Sequence, residues 1–298
     1  MEETTKPDPA KPAKRRGKPA NGAAQARSGA TGSSYAVPAL DKALDVLELM
    51  SNLSDPITPS QIAQRLGRSL QEVYRVVLVL EGRGYLMRPP GTDALVLSTQ
   101  LFGLATRFPP FRRVVDVAQP IINSLAINSG EAVHIAVLDG LRMCIIAQVD
   151  SPQPIGVRLR VGVHSPAILG SSGRLLIAFQ TEPVRNWYLE QAAASLPPDD
   201  VAHARSRVEA IDRHGFELAN APLLPGIVDI SFPILDQTGV ALAAVTIPYM
   251  GSYGTPKPRD VVVRLLHEAA EQISTAMGGR LRPLADPLPE PGPRSLVV

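Results

Sequence analysis

The run from Thr58 to Arg88, TPSQIAQRLGRSLQEVYRVVLVLEGRGYLMR, constrains the fold more than any other part of the chain. Thr58 is an N-cap candidate, and Pro59 follows at the first helical position, where a missing N–H costs nothing. Ile62, Ala63 and Leu66 keep one apolar face until Gly67, which suits a turn. Ser69-Leu70-Gln71-Glu72 then has capping-box spacing, in which Ser69 and Glu72 satisfy each other's free backbone donors. Val73, Val76, Val77 and Leu80 follow at i, i+3, i+4 and i+7, which predicts a helix with one buried stripe. Leu40, Ala43, Leu44, Leu47 and Met50 predict a supporting helix upstream. Tyr85–Met87 and Ala94–Leu97 predict two short strands joined by the turn-rich PPGTD. Helix, turn, helix and hairpin in this order make a winged helix-turn-helix, whose second helix enters the major groove of DNA. The side chains expected to meet DNA are Gln71, Tyr74 and Arg75 on the open face of that helix, with Arg68 and Ser69 at the turn and Arg88 at the wing.

Charge pulls the other way. From residue 37 to 107, Lys42, Arg65, Arg68, Arg75, Arg83, Arg88 and Arg107 face Asp41, Asp45, Glu48, Asp55, Glu72, Glu81 and Asp93, so the segment is neutral. A DNA reader usually shows a positive footprint. Neutrality favours a symmetric dimer, in which two modest half-sites add their contacts. The first 35 residues carry Lys6, Lys11, Lys14, Arg15, Arg16, Lys18 and Arg27 against Glu2, Glu3 and Asp8, a net of +4 where the whole chain is +2. Residues 1–35 contain almost no large apolar side chains and are expected to be a disordered basic tail, solvated or loosely attracted to DNA. The proline-rich residues 281–298 are expected to be a second disordered tail.

Length suggests two domains. Residues 36–98 form the expected DNA-binding domain, 99–110 a linker helix that Pro109-Pro110 must end, and 111–280 a second domain of mixed pattern. There, Pro120–Asn128, Gly173–Gln180, Asp200–His214 and Lys257–Met277 read as helices. Val133–Asp139 and Leu141–Val149 read as strands joined at Asp139-Gly140, a hairpin signal. Val157, Leu159 and Val161 alternate with Arg158 and Arg160 as in a half-exposed strand. Val228–Leu235 and Val240–Tyr249 are two more strands. The fold class is α+β, with a largely antiparallel sheet and helices packed on it.

The chain resembles the IclR-type transcriptional regulators over roughly residues 37–279. The resemblance is carried by VPALDKALDVLELM, IAQRLGRSLQEVYRVVLVLEGRGYL, GEAVHIAVLDG and GIVDISFPILDQTGVALAAVTIPY. It implies a GAF-like C-terminal domain that binds a small effector, and homodimers or homotetramers on a palindromic double-stranded operator. It also implies a pocket formed by the small-residue loop before a helix and by the two late strands, which here gives Gly170, Ser171, Ser172, Asp229 and Thr246. Ser171 and Ser172 at a helix N-terminus suit a carboxylate, or else simply cap the helix. Asp229 adds a negative charge to the site, or else faces solvent. Aromatic, keto and sugar acids, or a hydroxylated compound, all remain open as effectors. Ser69–Glu72 departs from the Pro-Lys-Ser-Thr that the family often places here, so either the operator differs or Glu72 only caps the helix.

An enzymatic, hydrolase-like second domain is the alternative. Against it, Gly170-Ser171-Ser172-Gly173 is one residue short of a nucleophile elbow, and the chain has no G-x4-G-K-[ST] phosphate loop. His134, His164, His203, His214 and His267 lack metal-ligand spacing, and Cys144 sits in an apolar run. No catalytic residue, metal or cofactor is expected. No apolar run is long enough to span a membrane and no secretory h-region opens the chain, so the expected compartment is the cytoplasm.

Overall fold

The computed structural model describes residues 37–106, 109–222, 224–251, 257–284 and 286–293. The basic segment 1–35 lies outside them. The chain forms two compact units, divided between Leu101 and Phe102.

In the first unit, α1 (Pro38–Ser51), α2 (Pro59–Leu66) and α3 (Leu70–Gly82) precede a two-stranded wing. The wing strands β1 (Leu86–Met87) and β2 (Val96–Leu97) are antiparallel, and Ile57 bridges Leu95 to anchor the wing beside the start of α2. Thr58 and Ser69 each head a complete capping box, with Gln61 and Glu72 as their partners. Gly67 turns the chain at φ 63°, a left-handed conformation that a side chain would strain. Val73, Val76, Val77 and Leu80 of α3 pack with Val46, Met50, Ile62, Ala63, Leu86 and Leu95 in one core.

The second unit starts within α4 (Gln100–Thr106) and continues with α5 (Pro109–Ser129). The prolines expected to end a helix in fact open the next one, since the first helical residues need no intrahelical donor. A six-stranded antiparallel sheet follows, in the order β5-β4-β3-β8-β7-β6. Its strands are β3 (Val133–Asp139), β4 (Arg142–Val149), β5 (His164–Pro166), β6 (Glu217–Asn220), β7 (Val228–Leu235) and β8 (Ala241–Tyr249). One face packs on α5 and α9 (Arg259–Met277) through Val133, Ile135, Val137, Ile230, Phe232 and Val245. Alternate residues face the other way, toward α6 (Ser171–Ala178), α7 (Glu182–Ser195) and α8 (Pro198–His214).

Two expectations are corrected. The Val157–Val161 alternation forms no strand. Gly162, at φ 85°, and the Val163 N–H to Arg160 C=O bond turn the chain there, so pairing with β4 is confined to His164–Pro166 and two bonds at Ile145. The described part of 281–298 is not a free tail. Leu281, Leu284 and Leu288 pack on the sheet core, and Gly292 exchanges backbone bonds with Leu218 and Asn220 on the edge strand β6. Apolar side chains spaced among the prolines make this possible, because a proline-rich segment with few backbone donors can still bury leucines.

Candidate functional site

The N-terminal unit separates the six residues expected to touch DNA into two groups. Gln71, Tyr74 and Arg75 stand exposed on α3, opposite its buried stripe. Ser69 holds the helix start, accepting from the Glu72 N–H. Arg68 donates to Asp45 at 2.5 Å, tying the turn back to α1. Arg88 donates to Glu81 at 2.9 Å and to the Asp93 carbonyl at 2.6 Å, so it clamps the wing to the end of α3. Glu72 caps the helix. Its Oε2 accepts from the Ser69 backbone and hydroxyl, and its Oε1 accepts from Lys42 at 2.5 Å. The Lys42 bond and the capping bonds hold its carboxyl down at about 2.

The five residues expected to meet an effector come from three elements of the C-terminal unit. Gly170 is the N-cap of α6 and makes no side-chain cap; Ser171 and Ser172 are the first helical residues and are buried. Capping is therefore not their role. Ser172 Oγ bonds His134 Nε2 at 3.2 Å and Thr246 Oγ1 at 2.9 Å, and Thr246 Oγ1 donates to Ser231 Oγ at 2.8 Å. Gly173 brings α6 against the backbone of Ala167, where a Cβ would collide with the Ala167 carbonyl.

Asp229 is not a solvent-facing strand residue. Burial pushes its carboxyl up to about 6, against the opposing pull of the Ser171 hydroxyl and Arg174. Arg174, almost fully buried, donates to Ser171 Oγ at 3.3 Å and to Glu217 at 3.0 Å, and Arg207 donates to the other oxygen of Glu217. The Glu217 charge thus takes up one arginine from α6 and one from α8. Burial holds the His134 imidazole down at about 4, so it is neutral near pH 7. Sequence reasoning missed Ser231, His134, Arg174 and Glu217 as partners of this centre. Their only sequence signal is a polar residue inside an apolar strand or helix, and chain spacing does not reveal which strands they share.

An open cleft of about 820 Å³ lies at the β4 edge, walled by Gln119, Asn123, Gln148, Asp150, Arg158 and Arg160 among others. It does not include the five expected residues. Among the described residues, no group of three or more His, Cys, Asp or Glu is placed to hold a metal ion, and no helix is long and apolar enough to cross a membrane.

Residues 39–90 match the IclR helix-turn-helix domain, and residues 112–275 match the bacterial transcriptional regulator IclR C-terminal domain, which is more than half the chain. The chain belongs to the IclR family of bacterial transcriptional regulators. The transcriptional regulator BhcR of Paracoccus denitrificans is 27% identical, over 90% of this chain and 96% of its own. The repressor AllR of Klebsiella pneumoniae is 23% identical, over 92% and 98%. Among solved structures, an IclR homolog from Microbacterium hydrocarbonoxydans complexed with 4-hydroxybenzoate aligns with a TM-score of 0.66 at 24% identity, covering 80% of this chain and 98% of that one. Thermotoga maritima IclR aligns with a TM-score of 0.64 at 23% identity, over 80% and 98%. The two curated relatives are named as transcriptional regulators and align along nearly their whole length, and the solved structures share the α+β fold.

Proposed function

We propose that this family member binds an operator through α3 and the wing, and that a small molecule bound in the C-terminal unit sets how tightly it binds. The observation that carries the reading is the division of labour on α3. A capping box fixes its start, Val73, Val76, Val77 and Leu80 are buried, and Gln71, Tyr74 and Arg75 stand open for base edges and phosphates. Arg68 and Arg88, engaged in ion pairs with Asp45 and Glu81, brace the turn before α3 and the wing after it. The segment from residue 37 to 107 is neutral, so operator affinity comes from paired copies, as a homodimer or homotetramer on a palindromic site. Gly170, Ser171, Ser172, Asp229 and Thr246 are the residues assigned to the effector. Support comes from their convergence at the start of α6 and from the 4-hydroxybenzoate held by one solved relative. The protein acts in the cytoplasm as a regulator, without catalysis of its own.

The test is a gel shift on the DNA upstream of the chain's own gene. Arg75→Ala is expected to weaken binding about tenfold or more while leaving the melting temperature unchanged, and to lower the salt slope by about one. Unchanged affinity and slope would remove α3 from the DNA interface.

A further inference from the structure

Five buried or half-buried polar residues occupy one register row across five neighbouring strands. Gln148 on β4 faces His134 on β3, which faces Thr246 on β8; Thr246 faces Ser231 on β7, and Ser231 faces Glu217 on β6. Directly opposed residues share a face of the sheet with Cβ atoms about 5 Å apart. Polar groups so deep are costly unless they are bonded.

The hydroxyl chain fixes where the protons are. Thr246 Oγ1 donates to Ser231 Oγ. A hydroxyl has one proton, so the bond between Ser172 and Thr246 is donated by Ser172. That proton being used, the bond between His134 and Ser172 is donated by His134 Nε2. Neutral His134 then carries a bare lone pair on Nδ1, and this buried atom has no partner among the described residues. Gln148 presents a second such atom. Its Nε2 donates to the Val149 carbonyl at 3.2 Å and to Asp150 Oδ1 at 3.4 Å, which settles the orientation of the amide. Its Oε1 is buried and likewise without a partner. Both orphans are acceptors, they sit on opposed residues of adjacent strands, and Gln148 lines the cleft at the β4 edge.

We infer that His134 and Gln148 are specificity-determining residues of the effector site, accepting hydrogen bonds from a hydroxyl or amine of an effector that enters by the β4-edge cleft. The inference rests on the reading of the C-terminal unit as effector-binding, and adds to it the requirement for a donor on the ligand. Among the described residues no protein group supplies that donor, and an acceptor left bare in the interior is destabilising. A ligand that presents a hydroxyl recovers this, whereas its methyl ether cannot. Arg158 and Arg160 against Asp150 leave the cleft wall cationic, which suits a ligand acidic at its other end.

The experiment is isothermal titration of the full chain with two matched pairs: 4-hydroxybenzoate against 4-methoxybenzoate, and lactate against 2-methoxypropanoate. At least one hydroxy acid is expected to bind about tenfold or more tightly than its ether. That ratio should fall toward one in His134→Phe and in Gln148→Leu, the latter leaving the hydroxyl chain untouched. Nitrogen NMR should show His134 Nδ1 unprotonated in the free protein and shifted on binding. Equal affinity within both pairs, no binding of either hydroxy acid at millimolar concentration, or a proton on Nδ1 would overturn the inference. Selective binding that leaves operator affinity unchanged would sink the regulatory reading alone. An effector that shifts operator binding without preferring a donor would sink only this inference.

Discussion

Asp229 makes the stability of the C-terminal unit depend on pH. Its ordinary pKa of 3.8 rises to about 6 because β7 and α6 withdraw it from water, and the Ser171 hydroxyl and the Arg174 charge only partly compensate. Below pH 3.8 it is protonated both folded and unfolded, with no penalty. Between 3.8 and 6 the unfolded chain releases the proton first, so stability falls as pH rises, and above 6 the full penalty is present. Asp229→Asn keeps the shape and removes the charge. It is expected to be more stable than the parent at pH 8 by about 1–3 kcal/mol and nearly equal at pH 4 in urea titrations. A difference that is the same at both pH values would show that the carboxylate carries no burial penalty. His134 has the opposite sign. Its pKa is lowered from 6.5 to about 4, so its contribution is lost as pH falls through that window. The capping box at Ser69 and Glu72 was legible, because both partners lie within one helical turn. The bonds joining His134, Ser172, Ser231 and Thr246 were not, because they depend on strand register across more than a hundred positions.

At the level of elements, local chemistry settled α2, α3 and the Asp139-Gly140 turn, and tertiary context settled the rest. The alternation at Val157–Val161 is a strand pattern, but Gly162 turns the chain and pairing resumes only at His164. The start of α6 lies two residues before Gly173, so Ser171 and Ser172 belong to the helix and face the sheet. Edge strand β6 is short and was not read. It is covered by Gly292, whose backbone bonds to Leu218 and Asn220 pair that edge, and a Cβ there would have to displace the Arg207 guanidinium. Besides the buried Leu86 and Leu95, the wing is tied to α3 by Arg88, which reaches both Glu81 and the Asp93 carbonyl. Arg88→Ala is therefore expected to act differently from Arg75→Ala. It should weaken operator binding severalfold by loosening the wing, and lower the melting temperature by a few degrees, since a partly exposed pair of this kind is worth about 1 kcal/mol. Fluorescence anisotropy with a thermal melt distinguishes the two. If Arg88→Ala lowers the salt slope by one with no change in melting, Arg88 contacts phosphate rather than bracing the wing.

For the whole molecule, two compact units with separate cores place the groups proposed to read DNA and the buried polar centre in different domains. Regulation therefore has to appear as a coupling free energy between two sites, and such coupling is reciprocal. If an effector changes operator affinity by a given factor, operator DNA must change effector affinity by the same factor, typically 5- to 150-fold. The neutral DNA-binding segment makes this measurable, because affinity that depends on paired copies falls steeply when one half-site is lost. The expected result is that titrating effector with and without saturating operator DNA gives two dissociation constants. Their ratio should match the ratio of operator affinities measured with and without effector. A DNA fragment carrying a single half-site should show much weaker binding and less coupling, since only a paired arrangement is sensitive to half-site spacing. Two effector constants that stay equal while operator affinity moves would break the thermodynamic cycle. The effector would then be acting through a state that the two-site cycle leaves out, such as a different oligomer of the chain formed during the assay.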